Sequence, residues 1–304
     1  MNIVRQAPAK VNLFLRMNGR REDGYHLLFS AMQTIGIYDT VKLEVLPSAP
    51  NQKPKIDFKS NLPYLTADPK KNTAVKAAVL FLDAIDEAYD VSIEIEKNIP
   101  SQAGLGGGSS DGAAVLMALD ELLPGRVLPE QLLSMAVKIG ADVPFFLKGG
   151  TMLCEGVGEV MTDLPNLANI PMLILKPSAG VSTPKCYAKF DEMGLPGISE
   201  EEKSSILREF RSDISMTSPC MCVRNSATLW KNDLQIPAML EVPCMQEGLD
   251  LMWRNGAVFS AMSGSGSALF GLFETEEQID VLLSTPEIQR LIKEKWWVCK
   301  TTTI

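Results

Sequence analysis

A glycine-dense loop that runs directly into an apolar helical segment constrains this chain more than any other feature. It spans residues 101–122 and reads SQAGLGGGSSDGAAVLMALDEL. Its glycines lack a Cβ, so the backbone can adopt positive φ and turn its amides toward a ligand at close range. The glycines concerned are Gly104, Gly106, Gly107 and Gly108. Ser109 or Ser110 is expected to cap the helix, which directs first-turn N–H groups and the positive dipole end at the loop. The stretch predicts a phosphate cradle.

The loop matches none of the common nucleotide-binding motifs. The dinucleotide pattern G-x-G-x-x-G fails because Ser109 stands at the third glycine position. The P-loop pattern needs a Gly-Lys pair and protein kinases need His-Arg-Asp, and the chain contains neither. The alternative is a Gly/Ser linker, but a linker would not lead directly into the apolar run of residues 113–119. We therefore favour the cradle.

Size and charge restrict the class of protein. With 304 residues, 46% of them hydrophobic, the chain can bury a sizeable core in two domains or two lobes. The 29 basic and 37 acidic side chains give a net charge of −8, which argues against a nucleic-acid or anionic-membrane surface. A phosphate ligand must therefore be held by local features. We find no signal-peptide pattern and no apolar run near the roughly 18 residues of a membrane span, so we expect a cytoplasmic protein.

The cysteine and histidine content argues against a structural metal site. Six cysteines occur and none forms a C-x-x-C pair, and the chain has a single histidine. We expect reduced thiols and no metal site or relay that needs two histidines. The cysteines are Cys154, Cys186, Cys220, Cys222, Cys244 and Cys299.

Near the N-terminus, residues 7–17 alternate as a strand does. Val11, Leu13 and other apolar side chains share one face, and Lys10 and Asn12 are neighbours on the other. This polar side is either an ordinary solvent face or a polar site, and the period alone does not decide between them.

Three further positions carry side chains whose role the spacing leaves open. Tyr25 and His26 are either a packing pair or a plane for stacking a flat ligand beside a hydrogen-bonding group. Lys97, three residues before the loop entrance, is in isolation most simply a surface charge. Asp142 lies among apolar neighbours with a proline two residues later, and either caps a helix or serves as a partly desolvated base.

A drop in apolar density at residues 165–171 indicates a join between two lobes. A second Gly/Ser loop, SGSGS at residues 263–267, separates two predicted strands of the later lobe. It is either a wide turn or a further set of backbone donors near the first cradle.

The motifs resemble the superfamily of galactokinase, homoserine kinase, mevalonate kinase and phosphomevalonate kinase, the GHMP kinases. The resemblance rests on Pro8-Ala9-Lys10-x-Asn12, on P-x-x-A-G-L-G-G-G-S-S at residues 100–110, and on MSGSGSALF at residues 262–270. Further motifs resemble the members that act on a cytidine-diphosphate-linked methylerythritol. They are residues 24–26, 140–144, 155–159, 180–183 with Tyr187, and 232–234. The likeness covers nearly the whole chain in order.

The resemblance implies an α+β, two-lobed GHMP kinase fold with the active site between the lobes. Residues 1–165 would form an N-terminal lobe like ribosomal protein S5 domain 2, which carries the phosphate loop. Residues 166–304 would form a C-terminal α/β-plait lobe that contributes to the substrate cleft. The implied reaction is ATP-dependent phosphorylation of the tertiary 2-hydroxyl of the cytidylyl substrate, with Mg²⁺ bridging the phosphates, in the non-mevalonate route to isoprenoid precursors.

The alternatives are a homoserine or mevalonate type of kinase and a nucleotide-binding module that has lost catalysis. The module is disfavoured because a pure binder has no use for both Lys10 and Asp142. In each case the expected partners are small molecules, without nucleic acid or membrane, and we expect a monomer or weak homodimer.

The resemblance also implies roles for single residues. Asp142 would accept the proton of the attacking hydroxyl in the substrate pocket, while Lys10 keeps that carboxylate ionised and steadies charge on the γ-phosphoryl group. Asn12 would orient the substrate. The implied cytosine and substrate contacts are Tyr25 and Tyr187 on the ring faces, His26 on its edge, and Thr183. The implied ATP-binding residues are Asn72, Lys97, Pro100, Ser101, Gln102, Ala103, Gly104, Leu105, Gly106, Gly107, Gly108, Ser109 and Ser110. No metal ligand is implied by residue.

Some positions depart from the family pattern. Gly112 stands where alanine is usual, and glycine in a first helical turn costs up to about 1 kcal/mol, which predicts a looser helix start. Asp111 favours the helix dipole but should repel ATP unless it points away. Pro184 and Cys186, beside the expected cytosine pocket, are not motif residues, and residues 194–217 carry no family signature.

Overall fold

The structure is a computed structural model that describes residues 1–49, 53–65, 68–214 and 230–304. Within these residues the chain forms ten strands, ten α-helices and two short 3₁₀ helices (Pro63–Leu65 and Pro69–Lys71), so the predicted α+β class is confirmed. It divides into two compact units, each assembled from separate parts of the sequence. Unit 1 comprises Met1–Ala9, Ile37–Ser101 and Gly106–Gly149, and unit 2 comprises Lys10–Gly36, Gln102–Leu105 and Gly150–Ile304. The lobe boundary expected between residues 165 and 166 stays a prediction.

The strands and helices have the following bounds. The strands are β1 (Asn2–Arg20), β2 (His26–Pro47), β3 (Ile56–Ser60), β4 (Tyr89–Glu96), β5 (Thr151–Gly156), β6 (Val160–Asp163), β7 (Pro171–Lys176), β8 (Phe259–Met262), β9 (Leu269–Leu272) and β10 (Trp297–Thr302). The helices are α1 (Thr73–Leu82), α2 (Gly107–Leu122), α3 (Pro129–Ile139), α4 (Val143–Lys148), α5 (Thr183–Met193), α6 (Glu200–Ile214), α7 (Gln235–Glu241), α8 (Met245–Arg254), α9 (Glu276–Leu283) and α10 (Pro286–Lys293).

In unit 1 a sheet forms from the C-terminal part of β2 together with β4 and β3. β4 pairs with β2 in antiparallel register, from Thr40 opposite Glu96 to Pro47 opposite Tyr89. β3 pairs with the other edge of β4 in parallel register. The apolar residues at every second position of β2, among them Val41 and Leu43, are buried on one face. This face and the helices of the unit enclose its core.

Helices α1 and α2 pack along each other in unit 1. The helical spacing of residues 72–84 predicts a helix with Asn72 or Thr73 as its cap. Asn72 caps α1, because its Oδ1 accepts a hydrogen bond from the Ala74 amide at 2.8 Å, so this prediction is confirmed. Small buried residues on both helices, including Ala77 and Ala114, allow a close approach. This packing holds the first turn of α2, where the glycine loop ends.

Unit 2 contains the N-terminal part of β2 and a separate four-stranded sheet. β5 pairs with β2 from Leu28 opposite Gly156 to Gln33 opposite Thr151. The sequence predicts a hairpin of residues 151–154 and 160–162 across the turn at residues 155–158. β5 and β6 form this hairpin. The second sheet is antiparallel in the order β10, β7, β9, β8. Buried side chains such as Leu173, Met252 and Phe273 form its core. The loop between β8 and β9 is the predicted second Gly/Ser loop.

In the described part of the chain, every helix is too short or too polar to traverse a lipid bilayer. Four described cysteines carry free thiols, namely Cys154, Cys186, Cys244 and Cys299. Cys220 and Cys222 lie outside the described residues. The expectation of reduced thiols stays a prediction.

Candidate active site

The glycine loop leads into α2, and the helix begins earlier than the sequence predicts. Gly106 occupies the N-cap position with φ 71° and ψ 10°, in the left-handed region that glycine adopts without strain. The Ser110 amide donates to the Gly106 carbonyl at 2.9 Å, which closes the first turn. Ser109 and Ser110 are therefore the third and fourth residues of the helix, and the prediction that one of them caps it is wrong.

The start of α2 has the properties of an anion site. The amides of Gly107, Gly108 and Ser109 precede the first intrahelical bond, so helix geometry leaves them for a ligand at the positive end of the dipole. The Ser110 hydroxyl is buried and has no hydrogen-bond partner among the described residues. A phosphate, which has several acceptor oxygens, is the kind of group that binds at such a helix start.

Glycine at position 107 is required by packing within unit 1. A Cβ there would lie 2.9 Å from Ile99 Cγ2 and 3.3 Å from Lys97 Nζ. The Thr73 hydroxyl, in the first turn of α1, donates to the Gly108 carbonyl. The backbone of the loop end is thus held directly against the residues that follow β4 and against α1.

A buried ionic cluster lies beside this turn. The Lys97 ammonium donates to Asp111 Oδ2 at 2.6 Å and also to Asp39 Oδ2. All three side chains are at most 5% exposed. Asp39 Oδ1 accepts from the amides of Asn98 at 2.6 Å and Ile99 at 2.8 Å. Lys97 is therefore an internal counter-ion, and its interpretation as a surface charge is wrong.

Burial dominates the electrostatics of the cluster. It raises the pKa of Asp111 to about 7, against the attraction of the Lys97 ammonium, and the charge of Asp39 adds to the rise. Burial alone would lower the pKa of Lys97, but the carboxylates of Asp111 and Asp39 outweigh it and raise that pKa. The concern that Asp111 repels a nucleotide is removed in part, because its carboxylate is paired with Lys97. The contact between Lys97 and ATP stays a prediction.

Three other predicted ATP residues of unit 1 lie near the ends of its elements. Asn72 caps α1, and Pro100 is half-buried after β4. The exposed Ser101 hydroxyl shares a hydrogen bond of 2.6 Å with the Tyr64 hydroxyl. Their contacts with a nucleotide stay predictions.

Asp142 lies at the N-cap position of α4 in unit 1. Its side chain does not make the capping hydrogen bond, so the simple capping interpretation is wrong. The residue is half-buried, and the buried Val143 and Pro144 follow it. A base at this position is compatible with these surroundings.

In unit 2 the polar face of β1 is buried, which rules out the ordinary solvent face. Lys10 is 3% exposed and Asn12 is 1% exposed. The Lys10 ammonium donates to Asn12 Oδ1 at 2.5 Å, and Asn12 Nδ2 donates to the Ser30 hydroxyl at 2.8 Å. Ser30 in turn donates to the Phe14 carbonyl at 2.7 Å. The side-chain amide of Asn12 thereby fixes the position of the Lys10 ammonium.

The second Gly/Ser loop lies against the unit 2 part of the first loop. The Ser263 hydroxyl donates to the Gly104 carbonyl at 2.8 Å, and the Ala268 amide donates to the Ala103 carbonyl at 3.1 Å. Gly104 has φ 72°, and a Cβ there would lie only 2.1 Å from the Ser263 oxygen. Of the two interpretations of this loop, proximity to the first cradle is confirmed for residues 103 and 104.

The other predicted ATP residues of unit 2 differ in exposure. Ala103 and Leu105 are buried, and the Leu105 carbonyl accepts from the Lys10 amide at 3.0 Å. Gln102 is exposed with φ 51° and packs against Gly180, where a Cβ would lie 2.9 Å from its Oε1.

The predicted cytosine residues of unit 2 include a pair of rings in contact. The His26 and Tyr187 ring centroids are 4.9 Å apart with an interplanar angle of 37°. His26 Nε2 lies 2.7 Å from Asp191 Oδ1, which fixes the imidazole orientation. Tyr25 is 66% exposed, so its ring is free to contact a ligand. The Thr183 hydroxyl, one turn before Tyr187 on α5, shares a hydrogen bond of 2.7 Å with Ser265 of the second loop.

Several residues of this arrangement were not identified from the sequence. They are Asp39, Ser30 and Asp191, which act through partners far away in the chain. Ser263 lies in the second Gly/Ser loop, and that motif was a usable signal. Asp39 and Asp191 lie outside the motifs and are separated from Lys97 and His26 by 58 and 165 positions.

The described residues hold no group of three or more His, Cys, Asp and Glu side chains that could bind a metal ion. The donors beside the glycine loop are instead backbone amides and hydroxyl groups. This donor set fits a nucleotide that brings its own phosphate oxygens to a cation.

Comparison with known proteins identifies relatives along almost the whole chain. Residues 72–150 match the family model described as the GHMP kinases N terminal domain. The 4-diphosphocytidyl-2-C-methyl-D-erythritol kinase of Clostridium botulinum (strain Eklund 17B / Type B) is 37% identical over 296 residues, which are 97% of each chain. The enzyme of that name from Desulfitobacterium hafniense (strain Y51) is 39% identical over 278 residues, 90% of this chain and 88% of its own.

Solved structures agree with these relatives. A crystal structure of 4-(cytidine 5'-diphospho)-2C-methyl-D-erythritol kinase matches with a TM-score of 0.75 and 33% identity, over 99% of this chain and all of the other. Homoserine kinase from Cytophaga hutchinsonii matches with a TM-score of 0.75 at 18% identity, over 100% of this chain and 94% of the other, a likeness of fold alone. The predicted GHMP kinase fold is confirmed.

Proposed function

The chain belongs to the 4-diphosphocytidyl-2-C-methyl-D-erythritol kinase family, and we propose that it transfers the γ-phosphoryl group of ATP to the 2-hydroxyl of 4-diphosphocytidyl-2-C-methyl-D-erythritol. The hydroxyl oxygen attacks the γ-phosphorus, the bond from that phosphorus to the bridging oxygen breaks, and ADP leaves. The hydroxyl proton passes to a base. The products are the 2-phosphate and ADP, in the non-mevalonate supply of isoprenoid precursors.

The phosphates of ATP bind the glycine loop at residues 104–110 in this proposal. The support is the start of α2, where the amides of Gly107, Gly108 and Ser109 precede the first intrahelical hydrogen bond at the positive dipole end. Mg²⁺, when bound, would neutralise negative charge on the phosphate oxygens during transfer. The buried Ser110 hydroxyl, which lacks a partner in the described residues, fits the role of a protein ligand to the phosphates or the cation.

Catalysis is assigned to Asp142 and Lys10. Asp142 accepts the proton of the attacking hydroxyl, and its half-buried position before the apolar start of α4 suits a base. Lys10 stabilises the negative charge on the transferring group, and the Asn12 amide holds its ammonium at 2.5 Å. Asn12 orients the substrate from the same buried strand. The family resemblance supplies these roles, and the burial of Lys10 and Asn12 supports them.

One observation carries the choice of substrate, namely the contact between the His26 and Tyr187 rings at 4.9 Å. Such a pair offers a face for stacking a flat base and a polar group for its edge. Asp191 occupies His26 Nε2, so we assign Nδ1 to the cytosine edge. Tyr25 covers the opposite face of the base, and Thr183 contacts the remainder of the substrate. A homoserine or mevalonate kinase has no need of this aromatic set.

The proposal also covers compartment and partners. We place the reaction in the cytoplasm, where both small-molecule substrates are held by a monomer or weak homodimer. The net charge of −8 supports small-molecule rather than nucleic-acid partners.

A direct assay tests the proposal. The purified chain is incubated with ATP, Mg²⁺ and, in separate reactions, the cytidylyl substrate, homoserine or mevalonate, and ADP formation is followed. ADP formed only with the cytidylyl substrate supports the assignment. Turnover of homoserine or mevalonate instead contradicts it. Nucleotide binding without turnover of any alcohol would identify a non-catalytic module.

A further inference from the structure

The side chain of Asn232 in unit 2 is fully engaged by the second Gly/Ser loop. Its Nδ2 donates to the Met262 carbonyl and to the Gly264 carbonyl, each at 2.8 Å. Its Oδ1 accepts from the Leu234 amide at 2.9 Å. The residue is 9% exposed. An amide is the side chain that this position needs, because two donors and an acceptor are used at once.

The segment that carries Asn232 is anchored to β1. The Leu15 amide donates to the Lys231 carbonyl, and the Asp233 amide donates to the Leu15 carbonyl, both at 2.9 Å. The Asp233 carboxylate accepts from Arg16 Nε at 2.9 Å and from the Met17 amide at 2.8 Å. The strand that bears Lys10 and Asn12 is therefore also the support from which Asn232 holds the loop.

The second Gly/Ser loop, which Asn232 holds, contacts Gly104 and Asn12 in unit 2. The Ser263 hydroxyl donates to the Gly104 carbonyl at 2.8 Å and accepts from the backbone amide of Asn12 at 3.3 Å. The fit is tight, since a Cβ on Gly264 would lie 3.2 Å from the Gly104 oxygen and 3.4 Å from Asn12 Oδ1. A shift of the loop must therefore move Gly104 or Asn12.

Asn12 passes any such shift to the ammonium of Lys10, because the two side chains are joined at 2.5 Å. We propose that Asn232 is a positioning residue: it sets the Ser263–Gly264 turn against Gly104 and Asn12, and through Asn12 it fixes the Lys10 ammonium for phosphoryl transfer. This inference rests on the role assigned to Lys10 in the proposed function. It also gives a physical role to the motif at residues 232–234.

Asn232→Asp tests the proposal, because it keeps the shape of the side chain and turns an acceptor oxygen toward two carbonyl oxygens. We expect kcat to fall about 10- to 100-fold, the scale of a misplaced catalytic group. The matched control is Gln235→Ala, which removes the acceptor for the Met262 amide at 2.9 Å and leaves the loop carbonyls paired. Its kcat should stay within about 3-fold of wild type. An unchanged kcat in Asn232→Asp, or an equal loss in the control, overturns the proposal.

A double-mutant cycle of Asn232→Asp and Lys10→Met separates a positioning role of Asn232 from a general loss of structure. If Asn232 acts through Lys10, Asn232→Asp should lower the rate of Lys10→Met by less than about 3-fold. If the fold-loss in rate of the double variant equals the product of the two single losses, the proposal is overturned. If Asn232→Asp does not fold, Ser263→Ala takes its place, since it removes the hydroxyl that joins the loop to Gly104 and Asn12.

Hydrogen exchange keeps this test distinct from the proposed function. The amides of Asn12 and Gly266 both donate to Ser263 and should exchange faster in Asn232→Asp, without any turnover. Unchanged exchange at both amides overturns the positioning role. A wild-type chain that does not phosphorylate the cytidylyl substrate would instead defeat the proposed function.

Discussion

Lys97 Nζ lies 2.6 Å from Asp111 Oδ2, inside a buried cluster that also contains Asp39. With one ammonium and two carboxylates, the cluster is neutral only when one carboxylate carries a proton. Both oxygens of Asp39 accept hydrogen bonds, from Lys97 and from the amides of Asn98 and Ile99. Asp111 Oδ1 is buried without a partner in the described residues, so Asp111 is the carboxylate that takes the proton. The cluster thereby ties the first turns of α2 to the residues that enter the glycine loop.

Lys97→Met should destabilise the fold strongly. It leaves two buried carboxylates without a counter-charge, and removing one partner of a buried ion pair costs about 3–5 kcal/mol. Urea unfolding at pH 8 measures the loss. The control is Lys42→Met, which breaks the 2.8 Å pair with Glu94, both about half exposed, and should destabilise the fold far less because solvent screens the pair. Similar losses in the two variants would show that the cluster does not hold unit 1 together.

Stability should respond to pH through Asp111. Its pKa is about 7 in the folded chain and near 3.8 when unfolded, so the folded state binds the proton more tightly. The contribution of protonated Asp111 to the free energy of unfolding is complete below pH 3.8 and is lost as pH rises through 7. For this difference in pKa the loss is at most about 4 kcal/mol. Asp111→Asn mimics the protonated form and removes this dependence.

The measurement is the free energy of unfolding of wild type and Asp111→Asn between pH 4 and pH 8. Because other groups titrate equally in both proteins, the difference between them isolates Asp111. We expect wild type to lose stability relative to the variant as pH rises. A constant difference across this range would mean that Asp111 stays ionised in the folded chain.

Gly112→Ala should stabilise unit 1. A Cβ at this buried position in α2 would lie 3.4 Å from Ile139, Thr73 Cβ and the Thr73 carbonyl, which is ordinary contact. Alanine in a helix is worth about 1 kcal/mol over glycine, so we expect a gain of up to that amount in the free energy of unfolding. The matched control, Gly125→Ala, has open space but φ 73° and should lose about 1 kcal/mol. A loss at Gly112 would show that its neighbours cannot accommodate the methyl group.

Local chemistry made part of this fold predictable. The glycine loop, the Asn72 cap and the hairpin of β5 and β6 each depend on residues close together in the sequence. The start of α2 was misplaced for a physical reason. Serine is the better cap on average. Here the helix starts several residues nearer the N-terminus, because Gly106 adopts the left-handed region and Gly107 packs tightly against Ile99.

Partners distant in the chain made the rest unpredictable. The sequence around Lys97 indicates a surface lysine, because its partner Asp39 is 58 positions away and gives no local signal of the pairing. The orientation of His26 depends on Asp191, 165 positions later and outside every motif. Burial of the Lys10 face likewise depends on Ser30 and Ser263, which period-two alternation in β1 does not reveal.

Asp142→Asn should remove the proposed base. We expect kcat to fall by about 10² to 10⁴ with ATP affinity near wild type, since the carboxylate acts on the hydroxyl rather than on the nucleotide. Steady-state kinetics give kcat, and titration calorimetry gives the ATP affinity. The exposed Asp86→Asn is the matched control and should keep full activity. Near-full activity of Asp142→Asn would remove this residue from the mechanism.

Tyr25→Ala should weaken binding of the cytidylyl substrate selectively. Its ring is 66% exposed next to His26 in sequence, so truncation costs the fold little and removes a stacking face. Stacking of a base on an aromatic ring is worth about 1–3 kcal/mol, which predicts a rise in KM for this substrate of about 10-fold or more. The KM for ATP, measured on the same variant, is the internal control and should stay near wild type. Equal rises in both KM values would mean that Tyr25 supports the site as a whole and does not stack on the cytosine.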